Sequence, residues 1–259
     1  RTQQLEVRAG GAAGGETTAY GFDAADRLVG VGYPDQQVAY TYDRVGDRLT
    51  EMANATGGGA LTNRGFTYNS RHQLTAIADG VNPGQSVAYT FDANGNQTSR
   101  TQAGVTTSFH FDVRDQLSAV LQGSSILGVY EYDYKGLRVL KQGALGYVHY
   151  AYDDKSVLLE TDASGTTLAK FDYGPDRLLS LNQQTEGRSF YLFDALGSVT
   201  DLTTLNGSLR ATYKYDAWGN YRATSGGSFN AFGFTGHERD GSQADPLYKL
   251  LAQRRLMGK

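Results

Sequence analysis

The sequence predicts an all-β fold: a repetitive antiparallel strip of β-hairpins. Three observations predict it. A short pattern of aromatic, any residue, aromatic and usually Asp recurs ten times, beginning at Tyr20, Tyr40, Phe66, Tyr89, Phe109, Tyr130, Tyr150, Phe171, Tyr191 and Tyr213. Successive starts are separated by 20, 26, 23, 20, 21, 20, 21, 20 and 22 residues, and a fixed period of this kind marks a repeat architecture. The composition agrees: 33 Gly, 18 Tyr and 11 Phe against 4 Pro is rich in turn and strand formers.

Each repeat reads as strand, tight turn, strand. The third position is aromatic every time: Phe22, Tyr42, Tyr68, Phe91, Phe111, Tyr132, Tyr152, Tyr173, Phe193 and Tyr215. Alternate residues of a strand share a face, so the first and third positions form one aromatic face. The second position, mainly polar, points the other way. The fourth is Asp23, Asp43, Asp92, Asp112, Asp133, Asp153, Asp194 or Asp216, with Asn69 and Gly174 in the other two repeats. An Asp here ends the strand by accepting backbone N–H groups two or three residues on. Gly46, Gly95, Gly136, Gly197 and Gly219 follow where the reversal needs a positive φ. Leu28, Leu49, Leu74, Leu117, Val139, Leu158, Leu179 and Val199 then start the return strands. Ala53–Ala60 and Asn82–Gln85, which lengthen two repeats, are expected as surface loops.

This places a β domain over residues 17–240. Residues 1–16, with the GGAAGG run at 10–15, read as a flexible linker. Residues 241–259 are a divergent tail in which Tyr248–Met257 suits a short amphipathic helix that covers a sheet end.

Several function classes are excluded. The absence of Cys removes disulfides, thiol chemistry and Cys-ligated metals. A net charge of -3 gives no hint of a nucleic-acid partner, which a basic excess usually announces. No apolar run approaches the roughly 18 residues of a membrane span. No basic region followed by an apolar stretch marks a signal peptide. GxSxG, HExxH and GxxxxGK[ST] are all missing.

Ten repeats in register, followed by FDALGSV (193–199), YDAWGN (215–220) and FGFTGHERD (232–240), strongly resemble the YD-repeat or Rhs-repeat family and its C-terminal core. The resemblance covers about residues 17–240. It implies a β strip that curls into a partial shell. In bacterial toxins such shells enclose a C-terminal effector, and in animal teneurins related repeats form an extracellular scaffold. The resemblance therefore implies a toxin-like polypeptide cargo, or the remainder of a shell, as partner in a secreted or extracellular setting. Many bacterial members continue into an Arg-Tyr-Tyr-Asp-Pro segment and a Gly-Arg-Phe segment, with self-cleaving aspartates. Here the chain reads GSQADPLYKLLAQRRLMGK after Asp240, so those roles are not carried over. A start at Arg1 and this tail are expected of a shell fragment, whose open edges and aromatic face favour homo-oligomers.

Four histidines offer chemistry. His72 takes the turn-glycine place and is expected exposed. His237, with Glu238, Arg239 and Asp240, is expected in a structural hydrogen-bond cluster, with an acid–base role as the alternative. Strand parity sets His110, Asp112, Glu131, Asp133 and His149 on the non-aromatic face of successive repeats, a ligand set suited to a divalent metal. A metal there would activate water. Strand spacing of about 4.8 Å works against shared coordination by His110 and His149. No other cofactor is expected. Two readings compete with a non-catalytic shell segment. One is a hydrolase of activated esters or phosphotriesters in an aromatic cavity. The other is a glycan- or protein-recognition surface using exposed Tyr and Trp218.

Overall fold

The structure is a computed structural model, and it describes residues 3–8 (as backbone), 16–143, 146–227 and 230–238. It is all-β, and every described strand pairing is antiparallel. Two compact units divide it, Arg1–Thr107 and Ser108–Lys259.

The first unit holds β1 (Gln3–Arg8), β2 (Glu16–Phe22), β3 (Leu28–Gly32), β4 (Gln36–Tyr42), β5 (Arg48–Ala55), β6 (Ala60–Tyr68), β7 (Leu74–Asp79), β8 (Val87–Phe91) and β9 (Gln97–Gln102). Each pairs with the next. β10 (Val105–Phe111) spans the division. The second unit continues with β11 (Leu117–Gln122), β12 (Ser125–Tyr132), β13 (Arg138–Gly143), β14 (Gly146–Asp153), β15 (Ser156–Thr161) and β16 (Thr167–Tyr173). It ends with β17 (Leu178–Gln183), β18 (Gly187–Phe193), β19 (Val199–Thr203), β20 (Leu209–Tyr215) and β21 (Tyr221–Gly226). From β11 each again pairs with its successor.

The turns follow the Asp chemistry, with a longer reach than the expected two or three residues. One oxygen of Asp133 accepts the N–H groups of Lys135 and Leu137, both at 2.8 Å. Asp194 does the same for Leu196 and Ser198, and Asp216 for Trp218 and Asn220. The second and fourth following amides are thereby satisfied by one carboxylate. The residue three after the Asp sits at positive φ: Gly136 at 82° and Gly197 at 80°. Where glycine is missing, Asp26, His72 and Asp115 take that place at φ 57–59°, as their short polar side chains allow. His72 is exposed there, and its Nδ1 lies 2.7 Å from Asp47 Oδ2. That hydrogen bond raises the imidazole pKa. Asp153 departs from the rule. It stays in β14 opposite Ser156, and the chain reverses through Asp154 at φ 50°.

A register shift recurs between the second and third positions. Thr41 faces Thr50 but Tyr42 faces Arg48, and Leu192 faces Asp201 but Phe193 faces Val199. One residue of each return strand is the bulged extra. This corrects the expectation for Leu49, Val139, Leu158 and Leu179. They are the bulged residues, and Leu49, Leu158 and Leu179 are exposed. Arg48, Arg138, Val157 and Leu178 instead face the third aromatic. Hydroxyls at the bulge donate across it, Thr75 to Thr67 O at 3.0 Å and Thr200 to Leu192 O at 3.3 Å.

Two more expectations change. Gln3–Arg8, expected in the linker, form β1 against β2. Ala53–Ala55 and Ala60, expected in a loop, extend β5 and β6 and leave only Thr56–Gly59 between them. Asn82–Gln85 are exposed as expected, with a 3-10 turn at Pro83–Gln85. The GGAAGG run and the 241–259 tail lie outside the described residues.

The aromatic face carries the core. The first aromatic faces the residue ten or eleven positions later: Val31, Glu51, Ile77, Arg100, Lys141, Glu160, Leu181, Leu202 or Thr224. Five third-position tyrosines tie their repeat to the previous one. Tyr42 donates to Leu28 O, Tyr68 to Arg48 O, Tyr132 to Leu117 O, Tyr152 to Arg138 O and Tyr215 to Val199 O, at 2.7–3.1 Å. These hydrogen bonds let a half-buried phenol keep a partner.

Candidate functional site

The second unit folds its C-terminal segment, Asn230–Glu238, onto its own aromatic face. Phe232 forms a bridge with Glu238, and Gly233 donates to His237 O at 2.9 Å. Val199 donates to Gly233 O at 3.0 Å, and Thr235 N–H donates to Ser198 Oγ at 3.1 Å. The Phe232 ring stands edge-on to Phe171 and Tyr191, at 5.5 and 6.3 Å between centroids. Such edge contacts suit the ring quadrupoles. Phe234 lies 5.6 Å from Tyr215 and rests on Gly219. A Cβ on Gly219 would come within 2.7 Å of that ring, and its φ is 84°. Both the turn and the close approach therefore need this glycine.

The segment borders a cleft of about 560 Å³, whose walls include Tyr132, Arg138, Tyr152, Tyr173, Phe232 and Glu238. Arg138 and Glu238 meet at 2.5 Å across a hundred positions of sequence. The Arg138 guanidinium also lies over the rings of Tyr150 at 5.1 Å and Tyr130 at 5.6 Å, positions that favour cation–π attraction.

Glu160 stands on β15, opposite Tyr150 on one strand and Ala169 on the other. It is only 6% exposed. Burial, reinforced by the Glu238 charge, pushes its carboxyl up to about 7, against the pull of Lys141 and Arg138. Burial and then Glu238 likewise push Tyr173 up to about 12 and raise Tyr152. The cleft is thus an aromatic slot with the Arg138–Glu238 pair in its wall. Such a surface can hold and orient a chain or an apolar ligand.

The candidates named from sequence fall in several places. His237 lines the cleft, and its Nδ1 lies 2.6 Å from Thr235 Oγ1. Glu238 lines it in its pair with Arg138. Asp240 lies outside the described residues. His110, Glu131 and His149 are exposed on the non-aromatic face, on β10, β12 and β14. Four strand intervals, roughly 19 Å, separate β10 from β14. Asp112 and Asp133 are not on that face. Their Oδ1 atoms accept N–H groups within their own turns. Among the described residues no group of three or more His, Asp or Glu is arranged to hold a metal ion.

Arg138, Glu160, Tyr152 and Tyr173 were not singled out from sequence as site residues. A signal existed. Glu160 and Lys141 occupy the place across from a first aromatic, as Glu51 and Arg100 do in the first unit, where Val31, Ile77, Leu181 and Leu202 put an apolar side chain. A charge across from a buried aromatic was the readable sign, though it recurs at Glu51 and Arg100 and so does not single out the cleft.

A family model described as the teneurin YD-shell matches residues 3–242. The tRNA3(Ser)-specific nuclease WapA of Bacillus spizizenii is 31% identical over 223 residues, covering 83% of this chain and 9% of that protein. The tRNA nuclease WapA of Bacillus subtilis strain 168 matches to the same extent. The chain thus spans about a tenth of the length of the curated relatives it matches. Among solved structures, a Photorhabdus luminescens Tc holotoxin pore aligns over 92% of this chain and 18% of its own, at 13% identity and a TM-score of 0.40. With the ten aromatic rows and the family match over nearly its whole length, this chain belongs to the teneurin YD-shell family.

Proposed function

We propose that the chain is a non-catalytic segment of a toxin-enclosing shell, whose aromatic face holds or presents a polypeptide cargo. The observation that carries this reading is the set of aromatic rows that each unit carries on one face, against a mainly polar opposite face. Thr41 and Thr50 pair their hydroxyls at 2.6 Å on that other face, as Thr90 and Ser99 do. An extended polypeptide finds aromatic surface and a few polar anchors on such a face without any catalytic group. The relatives named as tRNA nucleases exceed this chain about tenfold in length, which leaves ample chain for an effector beside a shell.

The test is to co-fold the protein with an unfolded reporter polypeptide, then measure co-elution and protease lifetime. Enclosure predicts a fixed stoichiometry and a lifetime prolonged on the order of tenfold, because cleavage then waits for opening. A reporter that elutes alone and is cleaved at its free rate overturns the reading. Light scattering on the same peak gives the mass of the assembly, with self-association expected from open sheet edges.

A further inference from the structure

We propose that Arg100, assisted by Gln97, is a carboxylate-binding site on the first unit's aromatic face, which takes an acidic side chain of a bound polypeptide. The site deepens the enclosure reading and rests on it, since that polypeptide is the cargo the face would hold.

Placement and unmet hydrogen bonds carry the proposal. On β9, Arg100 lies directly across from Tyr89, and Gln97 across from Phe91. Both therefore stand on the aromatic face. Thr98 is the bulged residue between them, so the two positions are about 7 Å apart along the strand. Arg100 is 9% exposed and Gln97 6%. Arg100 Nε and Gln97 Nε2 are both buried, and neither has a hydrogen-bond partner among the described residues. Two enclosed donors on one stretch of one strand thus lack an acceptor, and buried donors are as a rule satisfied.

Charge points the same way. Arg27 and Arg48, which lie over aromatic rings of this unit, hold Asp23 at 2.7 Å and Glu51 at 3.3 Å. Arg64 holds Glu51 at 2.9 Å and Asp79 at 3.1 Å. Arg100 forms no ion pair with any described residue; its hydrogen bond is the one from Nη2 to Gln102 Oε1. A guanidinium does not shed its charge by losing a proton, and a buried charge without a counter-ion is costly. The compensating anion then comes from a ligand. The group is already oriented for one. Gln102, which accepts from Arg100, donates to Gln85 Oε1 at 2.9 Å, and Gln85 closes the turn Pro83–Gln85. These amides fix the side chain without neutralising it, which is the preorganisation a binding group needs. The planar fork of donors suits a carboxylate.

The test uses the full chain, isotope-labelled at its arginine side chains, with the Arg100 Nε–H resonance followed by NMR. Three probes are titrated: a blocked peptide Leu-Val-Glu-Val-Leu, the same peptide with Gln in place of Glu, and inorganic phosphate. The Glu peptide is expected to shift the resonance and to bind roughly tenfold tighter than the Gln peptide, the worth of one charge-assisted hydrogen bond. Arg100→Gln is expected to abolish that preference, and Gln97→Leu to weaken it. Equal binding of the two peptides overturns the site and leaves the enclosure reading standing. Binding of neither also overturns the site, while the co-folding measurement decides enclosure separately. Phosphate acting as strongly as the Glu peptide makes Arg100 a pocket for a free anion and overturns the polypeptide assignment. Should Arg100→Gln fail to fold, the wild-type resonance decides alone: a Glu peptide that leaves it unmoved overturns the proposal.

Discussion

The same repeat is covered in two ways. In residues 1–107 the aromatic rows are roofed by charge. Arg48 lies 4.1 Å above the Phe66 ring and 5.7 Å from Tyr40. Glu51 joins Arg48 at 3.3 Å and Arg64 at 2.9 Å, and Arg64 reaches Asp79 at 3.1 Å. Asp79 is buried and also accepts the N–H groups of Val81 and Asn82. In the second unit, from β16 onward, the rows are roofed by chain. Phe171, Leu181, Val199 and Leu202 are 0–1% exposed and cluster with Tyr191, Tyr213 and Ala231, with Phe232 packed against them. The repeat sets where aromatics stand. The residues across from them, and the segment after the last repeat, decide what covers them.

That difference predicts where each unit breaks. The largest effect is expected from Phe171→Ala. Deleting a buried ring costs about 3–5 kcal/mol, and urea unfolding monitored by hydrogen exchange should show the loss in β16–β20 with β4–β6 unaffected. Next comes Asp79→Ala, which leaves Arg64 with Glu51 as its remaining carboxylate partner and removes the acceptor of two amides. A cost of about 2–4 kcal/mol is expected, confined to β5–β8. If Asp79→Ala costs nothing, the charged roof is not what holds the first unit.

Acidity separates the units further. Burial alone would raise Asp79, but the amides of Asn82 and Val81, with Arg64, hold it below the usual carboxylate range. Its stabilising contribution is present above pH 3.8 and lost as acid is added below that. Glu160 has the opposite sign, raised to about 7. The second unit should therefore lose stability as pH rises from about 4.5 to 7, by on the order of 2–3 kcal/mol. Chemical denaturation of wild type and Glu160→Gln at pH 5 and 7.5 checks this, and equal pH dependence in both would remove Glu160 as the cause. Gly219→Ala should cost about 1–3 kcal/mol and shift Trp218 fluorescence as Phe234 is displaced. The smallest effects are expected from Tyr42→Phe and Tyr152→Phe, about 0.5–1.5 kcal/mol each for one hydrogen bond. Similar values in the two units would show that the phenol ties are common to both roofs.

Much of the fold was legible. The ten aromatic pairs, the Asp turns and the turn glycines were read directly, because each is a local device whose geometry depends on a few adjacent residues. The bulge was not legible. Leu49, Leu158 and Leu179 look like core residues by type, and only pairing with the neighbouring strand shows the extra residue that turns them outward. The proposed ligands His110, Glu131 and His149 share a face as parity requires, but parity says nothing of distance between strands. The cleft escaped notice because its charged pair joins positions 138 and 238, and no local pattern links them.

What the sequence by itself determined is therefore periodic: the strands, the turns, the aromatic face and the family. Tertiary structure alone decided the bulged register, the roof over each unit and the cleft wall where Arg138 and Glu238 meet. The physical reason is range. Strand alternation and Asx turns act over two to four residues, whereas burial and charge act between whichever side chains the folded chain brings together.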